Sequence, residues 1–134
     1  METKIKHLEF IQTTIARMAS NSFAMKGWMI AILAALLALY ANSDPKNEYY
    51  LIIAAISTIL FWVLDSYYLY IEQNYRTLYK DIVNNNNDIP TFDMSIERYK
   101  NWKKFMKAMF CSCSTWLMYL PITVTLIGFY ITLK

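Results

Sequence analysis

The chain has few of the residues from which enzymes and metal sites are usually built. Its 134 residues include two glycines, three prolines, two cysteines and one histidine, His7, which has no visible partner. The sequence has neither a glycine-rich phosphate loop nor histidines and cysteines at metal-ligand spacing. One residue separates Cys111 from Cys113, which suits neither a zinc knuckle nor a redox CxxC motif. We therefore expect no catalytic residue, no metal and no cofactor, and we predict that the chain is not an enzyme.

Apolar residues are abundant instead. Hydrophobic residues make up 57% of the chain and aromatic residues 16%, which is too apolar for a soluble domain with a normal surface. Three stretches have the length and hydrophobicity of membrane spans, and we place them at 23–41, 50–70 and 108–133. The predicted fold class is an all-α integral membrane protein with three transmembrane helices, forming one membrane domain over residues 1–134.

The segment before the first span has the periodicity of a helix with one apolar face. Residues 3–22 are predicted to form a cytoplasmic helix that runs into the first span without a break. We call its apolar face the amino-terminal seam, and its members are Leu8, Ile11, Ile15, Met18, Ser22, Met25 and Met29. The seam can pack on the chain's own bundle or pair with a second copy of the chain.

The connection between the second and third spans is also expected to be cytoplasmic and largely helical. The second span continues as a stalk over 71–83, and a linker at 84–94 interrupts the helical pattern. A basic helix is predicted at 95–107, with Asp93 or Ser95 as its cap. We expect this helix to enter the third span without a break.

Small residues recur every four positions in the first span, at Gly27, Ala31 and Ala35. Such a stripe allows two helix backbones to approach closely in lipid. It can pack against the second span of the same chain or against another subunit. The three helices of one chain are too few to enclose an aqueous path across the membrane. We therefore predict that several copies form a homo-oligomeric bundle with cyclic symmetry.

The distribution of lysine and arginine predicts the orientation. Positive charges are concentrated before the first span and in the 72–106 connection, whereas the 42–48 hairpin has only Lys46. Because cytoplasmic loops are enriched in these residues, we expect the amino terminus in the cytoplasm and the hairpin outside.

Two ionisable residues lie inside the predicted spans. Lys26 is 15 residues from Ala41, at the outer end of the first span, and Asp65 is 16 residues from Tyr49, at the outer start of the second, so both lie about 23 Å below the outer boundary. A salt bridge between them would lower the cost of either charge in the membrane. Alternatively, Asp65 faces a lumen in a ring of carboxylates that selects cations.

The third span is rich in hydroxyl groups. Ser112, Thr115 and Thr123 are candidates for lining a pore, although serine and threonine also bond the carbonyls of their own helix. Pro121, in the middle of the span, is expected to kink it.

Basic residues precede the third span, and they are accompanied by Trp102. The lysines of this stripe are Lys100, Lys103, Lys104 and Lys107. Anionic lipid headgroups are one expected partner. A nucleotide or oligonucleotide is the other, with Trp102 stacking on a base.

Five short segments carry a resemblance to known proteins. They are HLEFIQ (7–12), ARMASNSF (16–23), KGW (26–28), LDSYYL (64–69) and YRTLYKDI (75–82). They resemble a widespread family of small, mostly uncharacterised bacterial multi-span membrane proteins, over about the first two-thirds of the chain. Proteins of this kind look like membrane effectors of nucleotide-signalling anti-phage systems, such as the channel partner of the nucleotidyltransferase in the Hailong system.

The resemblance implies a location in the bacterial inner membrane. It also implies an ion-conducting pore in bacterial anti-phage defence, regulated by a nucleotide or oligonucleotide from a neighbouring signalling enzyme. The alternative that we keep open is a non-conducting membrane anchor or scaffold for a soluble partner protein, which would bind through the amino-terminal seam.

Overall fold

The computed structural model describes residues 1–44, 47–84 and 89–132. Its α-helices are α1 (Glu2–Asn42), α2 (Tyr49–Val83), α3 (Trp102–Cys111) and α4 (Cys113–Thr132), and a 3-10 turn at Glu97–Tyr99 precedes α3. The prediction of an all-helical chain is confirmed. Helices α1, α2 and α4 are each long and apolar enough to cross a membrane. Residues 45–46 of the predicted hairpin, 85–88 of the predicted linker and 133 of the predicted third span lie outside the described residues.

Helices α1 and α2 form a long antiparallel pair that organises the fold. Helix α1 runs without a break through the predicted segments 3–22 and 23–41, and α2 includes both the second span and the stalk. Near the amino terminus, Ile11 packs with Leu78 of α2. At the other end of the pair, Met29 packs with Ala54 of α2 and with Tyr119 of α4.

The amino-terminal seam is therefore covered by the chain itself. Ile11 and Met29 have no exposed surface, and Leu8 and Ile15 pack against the same apolar cluster as Ile11. Burying this face against α2 removes its apolar surface from contact with the surroundings of the chain. Of the two alternatives for the seam, the structure shows packing within the chain.

The small-residue stripe is on the opposite side of α1. Gly27, Ala31 and Ala35 are all exposed, and a Cβ added at Gly27 would meet nothing within 4 Å. Packing of this stripe against the second span of the same chain, which was the first alternative, is therefore wrong.

The predicted basic helix at 95–107 is wrong at its start. Lys100 and Asn101 have extended backbones, and α3 begins only at Trp102. The cap is Asn101, whose side chain accepts a hydrogen bond from the Lys103 N–H at 2.9 Å. Asp93 does not cap this helix, because its carboxylate accepts the Ser95 N–H at 2.9 Å and stabilises a turn instead.

The predicted continuity from the basic helix into the third span is also wrong. Ser112 has an extended backbone, with φ −79° and ψ 122°, and separates α3 from α4. Side chains satisfy the carbonyls at this break: the Thr115 hydroxyl donates to Ser112 O at 2.8 Å, and the Trp116 indole donates to Phe110 O. These bonds replace helical hydrogen bonds, so the chain can turn without leaving the carbonyls unpaired. Pro121 lies within α4 without ending it.

Candidate functional site: a buried ion pair and a basic surface

The structure brings Lys26 of α1 and Asp65 of α2 together. Lys26 Nζ lies 2.7 Å from Asp65 Oδ2 and 2.8 Å from Oδ1. Asp65 has no exposed surface, and the Lys26 side chain is 14% exposed. Both carboxylate oxygens thus face one ammonium group, an arrangement that lowers the cost of each charge in an apolar environment.

Ser22 completes this group, which we call the ion-pair cluster (Ser22, Lys26 and Asp65). The Ser22 hydroxyl donates to Asp65 Oδ1 and accepts from Lys26 Nζ at 2.9 Å. Ser22 precedes Lys26 by four residues, so one helix turn places both side chains on the same face of α1. The sequence analysis included Ser22 only as a member of the amino-terminal seam. That four-residue spacing to Lys26 was the signal that could have identified it.

The ion-pair cluster joins α1 to α2, and it occupies both carboxylate oxygens of Asp65. A carboxylate that selects ions in a pore must contact water or the ion. Asp65 is instead enclosed within the single chain, next to the equally buried Ser66, whose hydroxyl donates to Trp62 O at 2.7 Å. The geometry therefore favours a structural role for this pair over a ring of carboxylates.

The candidate pore-lining hydroxyls do not share one surface. Thr115 is buried, whereas Thr123 is exposed and donates to Tyr119 O at 2.7 Å. Both line a largely apolar cavity of about 380 Å³ between α2 and α4. Ser112, at the break between α3 and α4, lines a different cavity.

The structure divides the predicted lysine stripe into two pairs. All four lysines are exposed, but only Lys104 and Lys107 line a cavity of about 350 Å³ between α2 and α3. Lys104 Nζ also lies 5.9 Å from the centre of the Tyr99 ring. Lys100 and Lys103 are outside this cavity.

Trp102, the predicted stacking residue, is 73% exposed and is not among the residues that line the cavity. Its ring contacts Phe105, with 5.4 Å between the ring centres. Trp102 is therefore open to solvent or lipid at the start of α3.

His7 has partners that the sequence analysis did not find. It is buried, its Nε2 lies 3.0 Å from Asp93 O, and its Nδ1 accepts the Phe92 N–H at 3.4 Å. These contacts fit the neutral tautomer with its hydrogen on Nε2. Phe92 has a φ of 65°, and its ring centre is 5.8 Å from that of His7. His7 thereby attaches the segment before α3 to α1.

Comparisons with known proteins do not identify a family. Within the described ranges, no three histidine, cysteine, aspartate or glutamate side chains are placed to hold a metal ion. No protein-family model matches the chain, and no curated protein or solved structure matches it significantly.

Proposed function

We propose that this chain is a membrane effector that assembles as a homo-oligomer and forms a regulated ion-conducting pore in bacterial anti-phage defence. It lies in the inner membrane with its amino terminus in the cytoplasm, an orientation supported by the distribution of lysine and arginine. The defence role, and control by a nucleotide or oligonucleotide from a neighbouring signalling enzyme, rest on the resemblance described above.

The observation that carries the proposal is the exposed face of α1. Gly27, Ala31 and Ala35 form a stripe of small residues that the chain's own helices leave uncovered. In lipid, such a stripe favours close packing of a second helix, because small side chains allow the backbones to approach. A second copy of this chain is the partner that the proposal requires, and cyclic symmetry closes the ring.

The path for ions then lies between copies. The two charged side chains of the spans, Lys26 and Asp65, pair with each other within each chain and do not face the space between copies. Thr123 and Thr125 of α4 are exposed. Their hydroxyl groups donate hydrogen bonds to the backbone carbonyls of Tyr119 and Pro121. Of the three predicted pore-lining residues, Thr123 is thus the one best placed to face a pore between subunits.

The test is the mass of the purified protein in detergent, with two glycine substitutions compared. Gly27→Leu adds bulk to the proposed interface, and Gly128→Leu adds the same bulk to α4, where a Cβ also meets nothing within 4 Å. We expect wild-type protein and Gly128→Leu to form a closed oligomer and Gly27→Leu to dissociate. Wild-type protein that is monomeric while folded would contradict the proposal.

The second candidate function, a non-conducting anchor or scaffold, was tied to the amino-terminal seam. That seam is covered by α2, so a partner would have to use another surface. An assembled oligomer that carries no current in bilayers would favour this candidate over the pore.

A further inference from the structure

Asn74 is a buried polar group that has no hydrogen-bond partner in the described part of the chain. It lies on α2, is 1% exposed, and neither its Nδ2 nor its Oδ1 has a hydrogen-bond partner among the described residues. Buried amides in native proteins are nearly always hydrogen-bonded, since leaving one unpaired costs the full desolvation of the group. The exception calls for a partner beyond the described residues.

The surroundings of Asn74 indicate the charge of that group. Asn74 lines the cavity of about 350 Å³ between α2 and α3, which we call the α2–α3 cavity. Its polar lining comes from Gln73, Asn74 and Thr77 of α2, Lys104 and Lys107 of α3, and Ser112. None of the described residues that line it is acidic. Two ammonium groups therefore border one half-open cavity, and the Asn74 side chain forms part of its wall.

Acidic residues nearby are engaged elsewhere. Glu72 pairs with Arg76 at 2.7 Å, and Asp81 accepts the Tyr99 hydroxyl at 2.6 Å. Within residues 1–44, 47–84 and 89–132, neither Lys104 nor Lys107 has a carboxylate within 4.0 Å. The positive charge of the cavity is not neutralised by these parts of the chain.

We propose that the α2–α3 cavity binds a phosphate group. A phosphate supplies several acceptor oxygens and negative charge, which match the ammonium groups of the two lysines. The Nδ2 donor of Asn74 is enclosed in the wall of the cavity, so it donates to the phosphate once the wall opens around it. The cavity lies where the stalk leaves the second span, since Asn74 follows Asp65 by nine residues, or about 13 Å along α2. At that level the phosphate can belong to an anionic phospholipid headgroup or to a soluble compound. This inference does not depend on ion conduction.

The test uses the full-length protein and two phosphate probes. The soluble probe is inorganic pyrophosphate added to protein in an uncharged detergent. The lipid probe is protein in nanodiscs containing phosphatidylglycerol, compared with nanodiscs of phosphatidylcholine alone. Cys111 lines the cavity and Cys113 does not, and both are free and exposed. In Cys113→Ser protein only Cys111 can be labelled, so its rate of maleimide labelling reports whether the cavity is occupied. In Cys111→Ser protein only Cys113 can be labelled, and its rate is the control.

We expect one of the probes to slow labelling of Cys111 about tenfold, with little change at Cys113. Lys104→Gln with Lys107→Gln should weaken the protecting probe at least about tenfold, because two charge-assisted contacts are lost. Lys100→Gln with Lys103→Gln removes the same charge outside the cavity and should change the affinity less than about threefold. Asn74→Leu removes the unpaired amide, so it should remain folded while weakening the probe about tenfold.

The two arms separate the sources of the phosphate. Protection by phosphatidylglycerol alone assigns a lipid headgroup, and protection by pyrophosphate in detergent assigns a soluble phosphate compound. The proposal is overturned when neither probe protects Cys111. It is overturned equally when the Lys100 and Lys103 double variant loses as much affinity as the Lys104 and Lys107 double variant.

Discussion

At the scale of single residues, the ion-pair cluster has the largest expected effect on stability. Lys26 and Asp65 come from different helices, and Asp65 has no exposed surface. Once one partner is removed, the other is a buried charge without compensation, which is far more costly than loss of an exposed pair. The pair therefore fixes how α1 and α2 pack.

Neutralising either partner should destabilise the fold. We expect Asp65→Asn or Lys26→Met to lower the free energy of unfolding by roughly 3–5 kcal/mol, and the double variant to recover much of that loss. Helicity measured during thermal unfolding in detergent checks this. Glu2→Gln is the matched control, because the Glu2–Lys6 pair is highly exposed and should contribute less than about 1 kcal/mol. Unchanged unfolding of Asp65→Asn would contradict the structural role.

Tyr99 supplies a prediction for alkaline pH. Burial and the hydrogen bond to Asp81 raise the pKa of Tyr99 from 10.0 to about 12. The folded state then holds this proton more tightly than the unfolded state, so its contribution to stability is complete below pH 10 and falls as the pH rises towards 12. The tyrosinate absorbance of wild-type protein minus that of Tyr99→Phe should show a titration near pH 12. A difference that titrates near pH 10 would contradict both the burial of the Tyr99 hydroxyl and its hydrogen bond to Asp81.

Residue-scale predictions from sequence succeeded where distance along a helix decides the outcome. Lys26 and Asp65 could be matched in depth because each helix has a fixed rise per residue. The partners of His7 could not be predicted, since they are a backbone carbonyl and a backbone N–H more than 80 residues away. Asn74 could not be identified either, because its burial depends on how α3 packs against α2.

At the scale of elements, the segment before α3 is held by contacts to both long helices. His7 attaches Phe92 and Asp93 to α1, and Tyr70 of α2 accepts the Asn101 N–H at 2.9 Å. The position of α3, and with it the α2–α3 cavity, depends on these contacts.

Replacing His7 should release the Phe92 segment from α1. We expect His7→Ala to speed hydrogen exchange at the Phe92 amide at least about tenfold, because its acceptor is lost. Lys6→Ala, one residue away and exposed, is the control and should leave that exchange unchanged. Equal exchange in His7→Ala and wild-type protein would show that the contact does not hold the segment.

The start of α3 gives a second prediction at this scale. Asn101→Ala should destabilise the first turn of α3 by about 1 kcal/mol, because the Lys103 N–H loses its side-chain acceptor. Ser95→Ala, at one of the two positions predicted to cap the basic helix, should have a smaller effect on that turn. Hydrogen exchange at the Lys103 amide distinguishes the two variants. The same protection in Asn101→Ala and Ser95→Ala would contradict the assignment of the cap.

Periodicity predicted the long helices well and the ends of the basic helix poorly. Helices α1 and α2 have continuous apolar faces, so the pattern alone gives their course. The start of α3 and its separation from α4 depend instead on single hydrogen bonds between side chains and the backbone. The side chains of Asn101 and Asp93 accept backbone N–H groups, and the Thr115 hydroxyl donates to a backbone carbonyl. Several residues in this region can make such bonds, and sequence pattern does not choose among them.

At the scale of the whole molecule, apolar surface remains after the chain has folded. Large hydrophobic residues are exposed on all three long apolar helices, including Ile30 on α1, Ile59 on α2 and Leu117 on α4. A surface of this kind is suited to lipid or to other copies of the chain. Helix length and hydrophobicity could be predicted from sequence. That the small-residue stripe is exposed could be known only from the structure, because it depends on which face of α1 packs on α2.

Ion-current recording with purified protein in planar bilayers is the most direct test of the central claim, which is conduction by an assembled ring of subunits. The account predicts discrete current steps for wild-type protein and for Gly128→Leu, and their loss in Gly27→Leu, because only Gly27 lies on the stripe proposed to join subunits. Wild-type protein that is oligomeric and inserted in the bilayer, yet carries no current, would contradict it.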